Sequence, residues 1–223
     1  MYCDDFNHTF PKYVMNYSKD GVTIIESSPS AKVKSVTWNG CGIQNFDTHI
    51  VKDMTSFFRI ARASNILYDD SDGFFLFNVE GQKYMFINEL KSTFDTREIY
   101  HARNQIVSTF IKMNMLLNLF QGYNPDDFII KGFIFSLPIK KDYLVSLHKQ
   151  MFTRRKGLVN AEANFTVNLC YGKTQSLDLH PRDCFELSKI PLSDRGIFKT
   201  IEMHHVDIDP NIGSITLDIG NFI

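Results

Sequence analysis

The stretch GFFLFNVEGQKYMFINELK, residues 73–91, decides the fold of this chain. Two apolar runs, residues 73–77 and 84–87, lie on either side of the pair Glu80-Gly81. Glycine is favoured in the two-residue turns that join antiparallel strands, because it adopts positive φ at no steric cost. The stretch therefore predicts a β-hairpin with its turn at Glu80-Gly81.

The second strand of this hairpin ends in two opposite charges, Glu89 and Lys91. Because side chains alternate along a strand, both point to the same face. The predicted turn places Asp72 directly opposite Glu89, with Cβ atoms about 4.5–5.5 Å apart. Carboxylates at that distance repel each other unless a cation lies between them, and the Leu90 carbonyl offers a third oxygen. These donors predict a site for Mg²⁺, or for Mn²⁺.

The segments on either side of the hairpin alternate between helix and strand patterns. Asp47 begins a predicted helix that runs to about Ile66. Asp95, three residues before Glu98, begins another that runs to about Gln121. Further strands are predicted at residues 22–26, 32–38 and 128–137, and a further helix at 141–152. This order predicts an α/β fold with a mixed sheet flanked by helices, in one domain spanning residues 1–223.

The last third of the chain gives weaker patterns. The sequence NFTVNLCYG, residues 164–172, is predicted to be a strand. Residues 196–208 and 213–223 are predicted to be a pair of strands joined through DPNIG. We expect residues 157–223 either to extend the sheet or to form an interface.

The region from Asp47 to Leu137 resembles the PD-(D/E)XK nuclease superfamily, whose members share a restriction-endonuclease-like core. The resemblance lies in Asp72, in Glu89-Leu90-Lys91 at the end of the hairpin, and in Gln105 on the following helix. It implies that Asp72 and Glu89 are metal ligands, that Lys91 is the catalytic lysine, and that Gln105 lies near the site. It also implies Mg²⁺-dependent hydrolysis of nucleic acid phosphodiester bonds, usually in DNA.

Two positions depart from the family pattern. Ser71 stands where the family motif has a proline before the aspartate. Many members also carry a glutamate on the first helix, and here Asp53 is the candidate for that role. A shifted hairpin register would make Asp69 or Asp70, instead of Asp72, the candidate metal ligand.

A net charge of −1 hides a basic stretch at residues 131–156, which contain seven lysines and arginines but only one acidic residue, Asp142. One interpretation is a solvated helix face. The other is contact with a polyanion. In that case phosphates would be bound, mostly without reading the base sequence, by Lys140, Lys141, Arg154, Arg155 and Lys156.

Several other residues suit a functional role, but a structural role suits them better. They are Glu202, His204, His205 and Asp207 on a late strand, His101 on the helix after the hairpin, and Tyr100 and Tyr123.

We expect no transmembrane helix, because no apolar run approaches the roughly 18 residues that one needs. The first residues lack the apolar segment of a secretory signal. The four cysteines form no CxxC pair, and we expect free thiols in a reducing compartment. These features predict a cytoplasmic protein.

Together the patterns predict a metal-dependent nuclease, for example the nuclease subunit of a bacterial anti-phage defence system. Such a nuclease would cut without sequence specificity, dimerise, or take its specificity from a partner subunit. One alternative is a nucleic-acid-binding module of the same fold without catalysis, whose binding would depend on salt but not on metal. Another is a structural or assembly subunit, which predicts a large apolar surface patch and no affinity for nucleic acid.

Overall fold

The computed structural model of the chain describes residues 2–152, 161–171 and 174–223. Its helices are α1 (Cys3–Thr9), α2 (His49–Ile60), α3 (Thr96–Leu117), α4 (Lys141–Phe152) and α5 (Ala161–Cys170). Its strands are β1 (Met15–Ser18), β2 (Gly21–Ile25), β3 (Ser35–Asn39), β4 (Ile43–Phe46), β5 (Gly73–Val79), β6 (Gln82–Lys91), β7 (Phe128–Ser136), β8 (Ser176–Leu179), β9 (Ile201–Asp207) and β10 (Ser214–Asp218).

The larger of two sheets has seven strands in the order β1-β4-β5-β6-β7-β9-β8. The strands β6, β7 and β9 run parallel to one another, and the remaining neighbours are antiparallel. Helices cover one face of this sheet, with α3 packed along β6 and β7. The predicted α/β class with a mixed sheet flanked by helices is therefore confirmed.

A smaller sheet of three strands, β10-β3-β2, covers the opposite face. Trp38 on β3 is fully buried between the sheets, and its ring contacts Phe75, Phe86 and Phe133. Its indole N–H donates to the Asn88 side chain on β6 (2.9 Å), so the one polar atom of the ring is satisfied. The protein thus has three layers, with an aromatic core between the two sheets.

The hairpin of β5 and β6 has the predicted turn and register. Glu80 and Gly81 both have positive φ, at 52° and 89°, as the tight turn between antiparallel strands requires. The ladder runs from Val79 opposite Gln82 to Gly73 opposite Asn88. One step further along this register, Asp72 comes level with Glu89. The turn therefore determines which two carboxylates meet at the far end of the hairpin.

The helix after the hairpin begins where the sequence predicts. The Asp95 side chain accepts a hydrogen bond from the Glu98 amide (2.9 Å), which caps α3. The helix ends at Leu117, four residues before the predicted end at Gln121. Its apolar side packs on the sheet, so α3 is held as a rigid element beside β6.

Three sequence predictions are wrong. The segment predicted as a strand at 164–172 lies largely in helix α5. The two late strands do not pair with each other, because β9 lies in the large sheet and β10 pairs with β3 in the small one. Helix α2 ends at Ile60 rather than near Ile66, because the chain turns at Arg62, whose φ is 52°.

In the part of the chain that the structure describes, none of the helices combines the length and apolarity needed to cross a membrane.

Candidate active site

The predicted metal ligands lie together at one end of the hairpin. Asp72 immediately precedes β5, and Glu89 lies near the end of β6. The Leu90 amide donates to Asp72 Oδ2 (2.7 Å), which fixes this carboxylate against the end of the strand. Because the N–H and C=O of one strand residue point to the same side, the Leu90 carbonyl faces the same edge as Asp72. Asp72 and Glu89 thus lie at the same end of the hairpin, near enough for the charge of Asp72 to raise the pKa of Glu89.

Glu89 is a buried carboxylate that is only half satisfied. The residue is 2% exposed, and its Oε1 lies 2.9 Å from the Lys91 ammonium. Its other oxygen, Oε2, is buried and has no hydrogen-bond partner among the described residues. Burial, and then the charge of Asp72, raise the pKa of Glu89 well above its ordinary value. A cation beside Oε2 would satisfy this oxygen and favour the ionised form.

The pKa of Asp72 is also raised above its ordinary value. Burial raises its pKa to about 6, and the hydrogen bond from Leu90 opposes this only in part. The charge of Glu26 raises the pKa further. The charge of Asp72 in turn raises the pKa of Glu89, so a further cation at this site would favour the ionised form of both carboxylates.

Glu26 is a residue that the sequence analysis did not single out. It follows β2 in the small sheet, and its charge raises the pKa of both Asp72 and Glu89. The small sheet comes close here because Gly73 has no side chain: a Cβ at this position would lie 2.7 Å from Ile24. No local pattern links residue 26 to the hairpin, so only the packing of the two sheets reveals its proximity.

Lys91 is held on the same face as Glu89, as predicted. Its ammonium donates to Gln105 Oε1 (2.6 Å) and lies 2.9 Å from Glu89 Oε1, with Glu98 Oε2 at 3.8 Å. Burial lowers the pKa of Lys91, but the charge and hydrogen bond of Glu89, with the charges of Glu98 and Asp72, together outweigh burial, and the pKa lies above its ordinary value. Lys91 is therefore a fixed cation beside the two carboxylates. Gln105 contacts it directly.

Helix α3 also holds the segment that leads into Asp72. Three of its side chains, spaced at i, i+4 and i+7, bind the backbone of the three residues before Asp72. The contacts are Gln105 Nε2 to the Asp70 carbonyl (2.9 Å), the Ser71 amide to Thr109 Oγ1 (2.9 Å), and Lys112 Nζ to the Asp69 carbonyl (2.5 Å). This series fixes the approach of the chain to β5, and the pairing of β5 with β6 excludes the shifted register.

Lys112 is fully buried, and it forms no ion pair with a carboxylate in the described part of the chain. Its ammonium donates to the Thr55 hydroxyl (2.5 Å) and to the Asp69 carbonyl. Burial lowers its pKa to about 8. Ser108 and Lys112 are both fully buried. Their side chains face the protein interior and the loop before β5.

Asp53 is not brought to this site. It lies on the exposed side of α2, where its carboxylate is 2.9 Å from the Lys12 ammonium and contacts the Tyr13 hydroxyl. These partners lower the pKa of Asp53. The suggested role of a first-helix acid therefore has no structural support at this residue.

The predicted phosphate-binding residues are only partly described. Lys140 and Lys141 are exposed where α4 begins. Arg154, Arg155 and Lys156 lie outside the described residues.

The late-strand residues form two separate groups. On one face His204 stacks on Phe133, and its Nε2 lies 3.0 Å from Glu202 Oε1 without hydrogen-bond geometry. On the other face His205 Nε2 is 2.8 Å from Ser136 Oγ, while its Nδ1 is 3.8 Å from Asp207. His204 and His205 are buried, so both histidines are placed as packing residues.

In the described ranges no three His, Cys, Asp or Glu side chains are grouped so that they could hold a metal ion. A site of Asp72 and Glu89 would therefore need the Leu90 carbonyl and water to complete its coordination, which is a donor set that Mg²⁺ accepts. The unsatisfied Glu89 Oε2 fits such an ion.

Comparisons with protein-family models, with curated proteins and with solved structures found no match to this chain.

Proposed function

We propose that this chain is a metal-dependent nuclease that hydrolyses phosphodiester bonds of nucleic acid, with DNA as the expected substrate. The observation that carries the proposal is the buried, unpartnered Oε2 of Glu89 beside a second carboxylate, Asp72. A purely structural ion pair would be expected to satisfy both carboxylate oxygens, because leaving a buried acceptor without a donor costs about 1–3 kcal/mol.

Asp72, Glu89 and the Leu90 carbonyl would hold Mg²⁺ or Mn²⁺. When bound, such an ion lowers the pKa of a water molecule and offsets charge on a phosphate. Lys91 stands beside these ligands and stabilises the negative charge that develops on the phosphate oxygens during attack. Gln105 accepts a hydrogen bond from Lys91 and so keeps the ammonium in place.

The order of elements supports the finer fold assignment, which remains part of the proposal. The elements follow one another as helix α2, the antiparallel hairpin β5-β6 with the acidic residues, helix α3 and strand β7. Strand β7 is parallel to β6, the second strand of the hairpin. This is the order expected of a restriction-endonuclease-like core. Exposed Lys140 and Lys141 would contact phosphates near the site.

The test is cleavage of supercoiled plasmid and of labelled single-stranded DNA and RNA, with Mg²⁺, with Mn²⁺ and with EDTA. We expect metal-dependent cleavage that disappears in Glu89→Ala and in Lys91→Ala. Asp53→Asn is the matched control, because Asp53 is exposed and distant from these contacts, and it should cleave like the wild type.

Cleavage that persists in EDTA, or that both alanine variants retain, would contradict the proposal. Binding of nucleic acid without cleavage, equal in wild type and variants and independent of metal, would favour the non-enzymatic binding module instead.

A further inference from the structure

A groove of about 550 Å³ opens beside the candidate active site. Its walls come from the loop after β6, the end of β7, the start of α4 and the loop before β3. The lining residues are Lys32, Thr93, Phe94, Asp95, Leu137, Pro138, Lys140 and Tyr143. A volume of this size lies within the range of sites that hold small organic groups, roughly 300–1,000 Å³.

Two aromatic rings give the groove an apolar surface. Phe94 and Tyr143 meet edge to face, with ring centroids 6.5 Å apart. Phe94 also contacts the ring of the buried His205, with centroids 5.2 Å apart, and this contact helps to hold the Phe94 ring in place. Both rings are partly exposed rather than buried, and so they are accessible to a planar partner.

The charge of the groove is positive. Lys32 and Lys140 are exposed, and neither forms an ion pair within the described part of the chain. The one carboxylate in the lining, Asp95, is already used as the cap of α3. Two free ammonium groups beside aromatic rings match a ligand that carries both negative charges and planar bases.

The groove lies just beyond the ends of β6, which carries Glu89 and Lys91, and of the neighbouring strand β7. Its wall at residues 93–95 follows Lys91 in the chain, and its wall at Leu137-Pro138 follows Ser136, which is the neighbour of Lys91 across the sheet. The Lys32 amide donates to Ser92 Oγ (2.8 Å), which holds the remaining wall to the same loop. A DNA strand with one phosphate at Lys91 would therefore have its next nucleotides near this groove.

We propose that the groove binds a single-stranded segment of the DNA substrate, with bases stacked on Tyr143 and Phe94 and phosphates paired with Lys32 and Lys140. The inference rests on the proposed nuclease function and names the form of its substrate. Unpaired bases are required, because the bases of a duplex are already stacked on one another and their faces are covered.

The test is fluorescence anisotropy with a labelled single-stranded DNA of about 12 nucleotides, within the length that one such groove covers. EDTA is present throughout, so that binding is measured without metal or cleavage. We expect Tyr143→Ala to weaken binding at least about fivefold, because stacking on one aromatic ring contributes that much. Tyr143→Phe should bind like the wild type, since it keeps the ring and loses only the hydroxyl.

Lys32→Ala and Lys140→Ala should each reduce the slope of log affinity against log salt by about 0.7, the value for one phosphate contact on a single strand. Tyr17→Ala and Lys19→Ala are the matched controls, since both residues are exposed on β1 and its following turn, and they should change neither affinity nor slope. A thermal midpoint for each variant shows that it is folded.

Equal binding by folded Tyr143→Ala and wild type would overturn the inference, as would tighter binding of duplex DNA or of RNA of the same sequence. Loss of cleavage in Glu89→Gln has no bearing on these measurements. A failure of the nuclease proposal is therefore distinguishable from a failure of the groove assignment.

Discussion

Glu89 and Lys91 meet through a single carboxylate oxygen: Oε1 of Glu89 lies 2.9 Å from the Lys91 ammonium, while Oε2 is buried without a partner in the described structure. A simple ion pair at a strand end would be exposed or fully satisfied. This one is neither, and Asp72 adds a second negative charge beside it. Without a further cation, the buried carboxylates of Asp72 and Glu89 are therefore disfavoured in their ionised forms.

Asp72→Asn should stabilise the metal-free protein. The folded-state pKa of Asp72, about 6, lies above its ordinary value of 3.8, so the fold disfavours the ionised carboxylate and its stability falls as pH rises from 3.8 through 6. That difference corresponds to roughly 3 kcal/mol at neutral pH. Asparagine keeps an acceptor for the Leu90 amide and removes the charge, so urea unfolding in EDTA should show a gain of about 1–3 kcal/mol.

Asp53→Asn is the control for this gain. Its carboxylate is exposed and paired with Lys12, and its pKa is lowered, so removing the charge should not stabilise the fold. If Asp72→Asn were no more stable than wild type in EDTA, the claim that the ionised Asp72 carboxylate destabilises the metal-free protein would be refuted.

Lys91→Met should separate catalysis from metal binding. The ammonium is not a metal ligand, and its loss removes a cation that competes for Glu89. We expect cleavage to fall by about 10²–10³-fold, the usual cost of one charge-stabilising donor, while Mn²⁺ binds at least as tightly as in wild type. Weaker Mn²⁺ binding in this variant would mean that Lys91 only supports the structure of the site.

Thr109→Val should loosen the segment before Asp72. The Thr109 hydroxyl accepts hydrogen bonds from both the amide and the hydroxyl of Ser71, at 2.9 and 3.0 Å. Valine keeps the shape and leaves the buried amide unpaired, at a cost of about 1–3 kcal/mol in urea unfolding. Cleavage should fall as well, because the carboxylate of Asp72 loses its fixed approach. Thr109→Ser retains the hydroxyl and should behave like wild type in both assays.

Lys112 should make stability depend on alkaline pH. Its folded-state pKa, about 8, lies below the ordinary 10.5, so between these values the unfolded chain binds the proton more strongly and stability rises with pH. The full effect is roughly 3 kcal/mol. Lys112→Met removes the titrating group, so in urea unfolding the stability of wild type relative to the variant should rise from about pH 8 to about pH 10. A constant difference would show that Lys112 is not buried as an ammonium.

The hairpin could be predicted from sequence because its determinants are local. A single glycine at residue 81 fixes the turn, the turn fixes the register, and the register brings Asp72 level with Glu89. The Asp95 cap of α3 is local in the same sense, since donor and acceptor are three residues apart. Alternation along β6 then places Glu89 and Lys91 on one face.

Features that depend on distant segments could not be predicted. Strand β10 pairs with β3, nearly the whole chain away, rather than with its neighbour β9. The β-branched and apolar residues of 164–172 suggested a strand, but this segment packs as helix α5 against α3 and α4. Glu26 approaches the hairpin only because the two sheets stack. In each of these cases tertiary packing, and not the local sequence pattern, determined the structure.

The measurement that tests the central claim most directly is Mn²⁺ binding followed by electron paramagnetic resonance, with wild type, Asp72→Asn, Glu89→Gln and Asp53→Asn. We predict one Mn²⁺ per chain in the wild type and in Asp53→Asn, and an affinity at least about tenfold weaker when either Asp72 or Glu89 loses its charge. Equal binding in all four proteins, or no binding in the wild type, would contradict the assignment of Asp72 and Glu89 as metal ligands.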